Sequence, residues 1–405
     1  MTQALRIRGA LAVAALAAAF CLVLLARGSD PAIAAPACAP AAQSNVLLSS
    51  QGRLESVIVG GRGRLYFTTE TAVMVLDSRS GPAEVLAEVE APGGLAFDTD
   101  GGLLVGSGNT IANGATGDDN GPSSLIRVDT TNGRKRVFAR GLSMGNGLVR
   151  GLDGTFYASN DFGRSIDRIR GGKTQRKWAD VQSGNGLTID PSGRFLYAAQ
   201  TFVPAAVARV DTLNPSRVTT HMSSPSDASA GLDGMARDKR NNIFVAANGS
   251  GEIWRIAPDG TPCVILDNLA PFPDGPSAVA VGQGTSRFPA SSVYAVTFGG
   301  DLIELPNVAE TTPAPGFRKP RIRLTVRPRR AEAGEPTTYR LKAVIAEQAA
   351  RPIEGARVHL GGRMVRTNEN GVARIRKTFR SLGRHTARAG SPGLRRDSAA
   401  ISVSN

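Results

Sequence analysis

Along most of the chain, apolar residues alternate with polar or small ones in short runs broken by turns rich in Gly, Asp and Asn. Arg64-Leu65-Tyr66-Phe67-Thr68 and Phe195-Leu196-Tyr197-Ala198 are typical. This is the two-residue period of strands, not the 3.6-residue period of helices, and it predicts an all-β protein. The N-terminus is the exception. Arg6 and Arg8 precede a continuous apolar run from Gly9 to Ala26, and small-residue sites follow at Ala32-Ile33-Ala34 and Ala35-Pro36-Ala37. Residues 1–37 therefore read as a signal peptide or, because the run is almost long enough to span a bilayer, a signal anchor. The expected location is extracytoplasmic: secreted, periplasmic or cell-surface.

One strand pattern recurs six times. Each copy opens on a polar or small residue followed by a small one, then an apolar strand, a Gly-containing turn and a second strand ending in a small residue. The openings are Glu55-Ser56, Gly93-Gly94, Asn146-Gly147, Asn185-Gly186, Asp233-Gly234 and Pro276-Ser277. Residues 45–308 give 44 residues per copy, the length of a four-stranded blade, so the expected fold is a six-bladed β-propeller. The last copy has three clear strands before Pro306, and Asn45-Val46-Leu47-Leu48 can supply the fourth and close the ring.

Composition changes after residue 308. Residues 309–320 form a Pro/Thr linker, and within 321–405 the strand Arg321-Ile322-Arg323-Leu324-Thr325-Val326-Arg327 alternates Arg and Thr against Ile, Leu and Val. Several such strands in so short a stretch predict a small β-sandwich. Its segments Pro352–Val358 and Thr367–Ala373 resemble bacterial immunoglobulin-like surface modules. The net charge of +14 is uneven: residues 316–405 hold 21 Lys/Arg against 6 Asp/Glu, and residues 45–315 hold 24 against 27. The basic module is expected to meet an anionic cell-envelope polymer, with no specific nucleic acid as partner.

Equivalent positions of propeller blades fall on a ring about the axis, so the six openings are expected to be neighbours. Glu55, Asn146, Asn185 and Asp233 bring oxygen donors to that ring. A hard, all-oxygen set without His or Cys selects calcium, or magnesium or manganese, ahead of zinc. The competing reading takes Asn-Gly and Asp-Gly as hairpin turns, but each copy already has its own turn about seven residues later. Other candidates are weaker. Gly106 to Ser124 reads as a solvated loop, with a lid or a second calcium site as alternatives, and Asn160-Asp161 as an outer wall of the cavity or a turn cap. His221 reads as a loop histidine, since no Gly-x-Ser-x-Gly elbow accompanies it. Cys38 and Cys263 could form one disulfide.

Glu55-Ser56 with Gly63–Thr68, Asn185-Gly186-Leu187 with Ser192–Ala198, and Asp233-Gly234-Met235-Ala236 with Ile243–Ala246 together resemble the senescence-marker-protein/gluconolactonase family. The resemblance spans about residues 50–306. It implies that Glu55, Asn185 and Asp233 ligate one divalent cation, and that Asn146 faces the same cavity and contacts the substrate or a metal-bound water; Asp161, in the outer wall, is the other candidate for substrate contact. It also implies a hydrolase of lactones or esters in which Asp233 manages the proton. Met144 stands where members that hold sugar lactones can carry an Arg. The alternatives are a non-catalytic propeller that binds a surface glycan or protein with structural calcium, and a strictosidine-synthase-like condensing enzyme.

Overall fold

The computed structural model describes residues 35–38, 42–224 and 229–405, so the export signal expected at residues 1–37 lies almost wholly outside the described residues. No helix among the described residues is long and apolar enough to cross a membrane.

Six four-stranded antiparallel sheets form the propeller, and they occupy residues 57–88, 95–142, 148–180, 184–224, 232–266 and 276–305. In the first five sheets the strand nearest the axis is the first in sequence, and in the sixth it is Pro276–Val281. The sixth sheet has three strands of its own, and Asn45–Leu48 pairs antiparallel with Leu302–Leu305 as its fourth.

Burial explains how each blade reads in sequence. The innermost strand Gly184–Ile189 and the second strand Ile243–Ala247 are buried along their whole length, whereas outer strands such as Lys173–Asp180 and Asn214–Ser224 are largely exposed. A strand flanked on both faces by neighbouring blades needs a continuous apolar run, and a rim strand does not. The cores accordingly lie between blades: Tyr157, Ile166 and Trp178 of blade three pack with Leu187, Leu196 and Val210 of blade four.

Before the closing strand, Ala37 pairs with Val264 at the rim of blade five, and Cys38 N donates to Val264 O. Cys38 and Cys263 form a disulfide there.

Residues 322–404 form a sandwich of two sheets, one built from Ile322–Arg327, Pro336–Ile345, Arg351–Pro352 and Val372–Thr378, the other with five strands. Tyr339, Ile375, Val358 and Ile401 fill its core. Ile322–Arg327 alternates strictly between buried and exposed, with Arg323 and Arg327 facing outward. The module is fixed against the propeller. Asp153, in a turn of blade three, is 1% exposed and accepts from Arg170 Nη1 at 2.8 Å and from sandwich residue Arg351 Nε at 3.1 Å. Glu354 N donates to Asp153 O, Gln348 Nε2 to Ser192 O, and Arg366 pairs with Asp100.

Candidate metal centre at one mouth of the channel

The six openings occupy equivalent positions at the start of the inner strands, and their backbone pairing shows it. Glu55 N donates to Thr68 O and Thr68 N to Ser56 O; Gly93 N donates to Gly106 O and Gly106 N to Gly94 O; Asn146 N donates to Ser159 O and Ser159 N to Gly147 O. In blades four, five and six the register slips between Gly184 and Leu187, between Leu232 and Met235, and between Pro276 and Ala278. Such a bulge re-aims the side chain it carries. Asn185 and Asp233 sit on these bulges, which answers the hairpin-turn reading of the Asn-Gly and Asp-Gly pairs.

The residue after each opening is small because the next blade passes so close. A Cβ on Gly94 would lie 2.4 Å from Asn146 O, on Gly147 2.2 Å from Asn185 O, and on Gly186 2.4 Å from Asp233 O. Hydroxyls stitch the same joints: Ser159 Oγ donates to Asn185 O at 2.5 Å, Thr201 Oγ1 to Leu232 O at 2.7 Å, and Ser277 Oγ to Leu54 O at 2.7 Å. The openings are thus drawn into one ring by backbone packing.

Three carboxylates meet inside it. Burial pushes Asp233 well up from the ordinary carboxylate range, and the charges of Glu55 and Asp161 push it further. Asp161 is pushed up to about 7, first by burial and then by Glu55, while a hydrogen bond with Asn146 opposes the shift. Glu55 is raised by burial, against the pull of Arg53 and a hydrogen bond from Asn109 Nδ2 at 3.0 Å. Arg53 in turn stacks over the Phe298 ring at 3.4 Å. Asp161, read from sequence with Asn160 as an outer wall or a turn cap, is buried and acts on the other carboxylates; Asn160, fully buried beside it, donates through Nδ2 to Gly114 O and Asp118 Oδ1.

Asn185 Nδ2 donates to Thr201 Oγ1 at 3.0 Å, which leaves Asn185 Oδ1 buried without a partner. Asp161 Oδ1 and Asn109 Oδ1 are likewise buried and unpartnered. Orphaned acceptors beside mutually repelling carboxylates are the environment that a hard cation relieves. Glu55, Asn185 and Asp233 therefore fit the donor set expected of them. Among the described residues no three His, Cys, Asp or Glu side chains form a metal-holding group.

The segment Gly106 to Ser124, expected as a loop, contains the helix α1 (Ile111–Asn120), capped by Thr110 and ended by Gly121 in the left-handed conformation. It covers one side of the mouth. A Cβ on Gly114 would lie 2.8 Å from Met144 Sδ and 2.9 Å from the Phe162 ring, so glycine permits the seating. Met144 is buried beneath the helix. His221 lies on the rim strand of blade four, against the Tyr197 ring, and takes no part in the centre.

The propeller topology agrees with a family comparison. Residues 163–287 match the model of the SMP-30/gluconolactonase/LRE-like region. The matched stretch of this gluconolactonase-like propeller contains Asn185 and Asp233 and bears out the resemblance read from the dispersed motifs. Similar solved structures are a gluconolactonase from Xanthomonas campestris (19% identity, 69% of this chain and 99% of that one, TM-score 0.51) and a calcium-binding regucalcin from Agrobacterium tumefaciens (19%, 67% and 97%, TM-score 0.51). A putative gluconolactonase has 17% identity over 71% of this chain and 99% of that one, with TM-score 0.51. At these identities what is shared is the fold. No curated protein matches the sequence.

Proposed function

We propose that this gluconolactonase-like propeller hydrolyses lactones or simple esters with a divalent cation, calcium first by donor chemistry, held by Glu55, Asn185 and Asp233. The carrying observation is the mutual influence of two buried carboxylates, Asp161 and Asp233, and the half-buried Glu55, together with the unpartnered Oδ1 of Asn185. A calcium-binding regucalcin and gluconolactonases among the similar folds support the same reading.

When bound, the cation would polarise the carbonyl and make a water nucleophilic near neutral pH. Asp233 takes the proton that this water gives up. Asn146 favours the ionised form of the neighbouring Asp161 carboxyl, and the pair would face the substrate. Asn109 fixes the rotamer of Glu55. With Met144 buried under α1, no cationic side chain enters from that position to meet a polyol, so the substrates put forward are lactones without a sugar body.

Export and attachment to an anionic envelope polymer through the basic sandwich belong to the same proposal. Their support is the residue pattern of 1–37, a disulfide of the kind that oxidising compartments preserve, and the outward-facing Arg323 and Arg327.

The test is a panel of five- and six-membered lactones and aryl esters, assayed with and without chelator. Turnover that needs the cation and falls about a hundredfold in Asp233→Asn supports the proposal. A panel without chelator-sensitive turnover overturns it in favour of a binding propeller.

A further inference from the structure

The inner strands run away from the carboxylate ring to the other end of the channel, where a cavity of about 820 Å³ opens beneath the sandwich. Its upper wall is apolar, with Val57, Val59, Leu95, Leu148, Met235 and Val279 contributed by five blades. Its lower rim is strongly charged. Arg150 ends the inner strand of blade three, Arg237 that of blade five, and Arg357 reaches in from the sandwich with Pro392 and Gly393 beside it.

The acids at this rim are committed elsewhere. Asp98 pairs with Arg127 Nε at 2.6 Å, and Asp100 pairs with Arg366. Asp238 accepts from the backbone of Arg240, Asn242 and Glu310, and Glu310 pairs with Arg240 at 3.7 Å. Carboxylates lie near Arg150 and Arg237, but among the described residues Arg150, Arg237 and Arg357 make no direct ion pair. Arg150 Nη1 is buried without any hydrogen-bond partner. Arg237 donates only to carbonyls, of Ile189 through Nε and of Asp238 through Nη1 at 3.1 Å. Arg357 Nη2 likewise meets only a carbonyl, of Thr99 at 3.2 Å. Burial disfavours the charged form of both Arg150 and Arg237, against the opposing pull of Asp98, Asp153 and Asp100 on the first and of Asp190 and Asp238 on the second. A guanidinium retained in such a place, with an empty donor, has a geometry suited to a planar oxyanion.

We propose that this second mouth binds an amphipathic organic anion, with a carboxylate or phosphate head between Arg150, Arg237 and Arg357 and an apolar body along the inner strands. The sandwich is then part of the site: without Arg357 and the Pro392-Gly393 turn the rim is open on that side. The site stands apart from the carboxylate ring and does not depend on lactone hydrolysis.

Calorimetric titration of the full chain with octanoate, octyl phosphate and octanol tests it. The expected result is saturable, one-to-one binding of at least one of the two anions, no comparable binding of octanol, and affinity reduced about tenfold or more by Arg150→Gln and by Arg357→Ala. Which anion binds identifies the head group. Asp233→Asn, at the opposite mouth, should bind as the wild type does. Should Arg150→Gln not fold, Arg357→Ala decides, since Arg357 is an exposed residue of the sandwich. Absence of saturable binding, octanol binding as tightly as the anions, or Arg357→Ala binding undiminished would overturn the proposal.

Discussion

Asn109 Nδ2 donates to Glu55 Oε1 at 3.0 Å, joining a residue that follows the second strand of blade two to the residue that opens blade one. The next residue, Thr110, caps α1, so the helix that covers the mouth and the carboxylate beneath it share one short stretch of backbone. Asn109→Ala should free the Glu55 carboxyl to take other rotamers and leave it more strongly protonated. We expect calcium affinity to fall about tenfold, the worth of one hydrogen bond to a charged group, with melting temperature little changed. Calorimetry checks it; an unchanged affinity would show that Glu55 is held by packing alone.

The carboxylate cluster ties stability to pH. Asp161 rises from an ordinary 3.8 to about 7 on folding. Between those values the folded protein binds a proton that the unfolded chain releases, so this group's contribution falls as pH rises through the window and is lost above it. The cation-free protein should therefore lose thermal stability as pH rises from about 4 to 7, and Asp161→Asn should flatten that slope. Calcium replaces the proton, so its stabilising effect should be larger at pH 8 than at pH 5. Scanning calorimetry with and without calcium reads both trends, and an equal calcium effect at the two pH values would contradict the placement of Asp161 beside the cation.

Gly186 tests the ring itself. Its Cβ would meet backbone atoms, Asp233 O at 2.4 Å and Met235 N at 2.6 Å, and neither can swing away as a side chain would. Gly186→Ala should cost about 1–3 kcal/mol and weaken cation binding by pushing Asp233 off the axis. Gly61→Ala is the matched control, because a Cβ there meets nothing within 4 Å. Equal stability of the two variants would mean that the blades can part at no cost.

Asp153 carries the attachment of the sandwich. Replacing it by Ala leaves Arg170 and Arg351 mostly buried with only carbonyl and hydroxyl partners, at an expected cost of about 3 kcal/mol. Proteolysis at residues 309–320 should accelerate and thermal unfolding should separate into two transitions. A single transition at the wild-type temperature would show that the remaining contacts suffice.

The parts legible in the sequence are those with a repeat behind them. Glu55, Asn146, Asn185 and Asp233 could be aligned because each precedes the same strand, and propeller geometry turns alignment into proximity. Asn109 follows a second strand, where the copies differ in length, so no register placed it, and Asp161, also after a second strand, could be named as a candidate beside the cavity but not joined to the carboxylates. α1 was hidden by its composition: Ile-Ala-Asn-Gly-Ala-Thr-Gly-Asp-Asp-Asn has the residues of a loop and scarcely any apolar face. It is helical because Gly114 and Gly117 let it press against Met144 and the Ser143 carbonyl, a tertiary contact that outweighs local preference. The docking of the sandwich was equally invisible, since Asp153 and Arg351 are far apart in the chain and no local pattern links them.

The strand Asn45–Leu48 sets an order of events. It leaves first in synthesis, yet its partner Leu302–Leu305 is made about 250 residues later, which at common elongation rates is a wait of some tens of seconds. Until then blade six lacks its rim strand and two backbone edges stand unpaired, the situation that invites pairing with a neighbouring chain. Its pattern suits the delay: Val46 is 63% exposed even after docking, so little apolar surface has to be hidden while the strand waits. The first strand out is the last to be locked, and the ring becomes a closed object only when both ends of the propeller have been made.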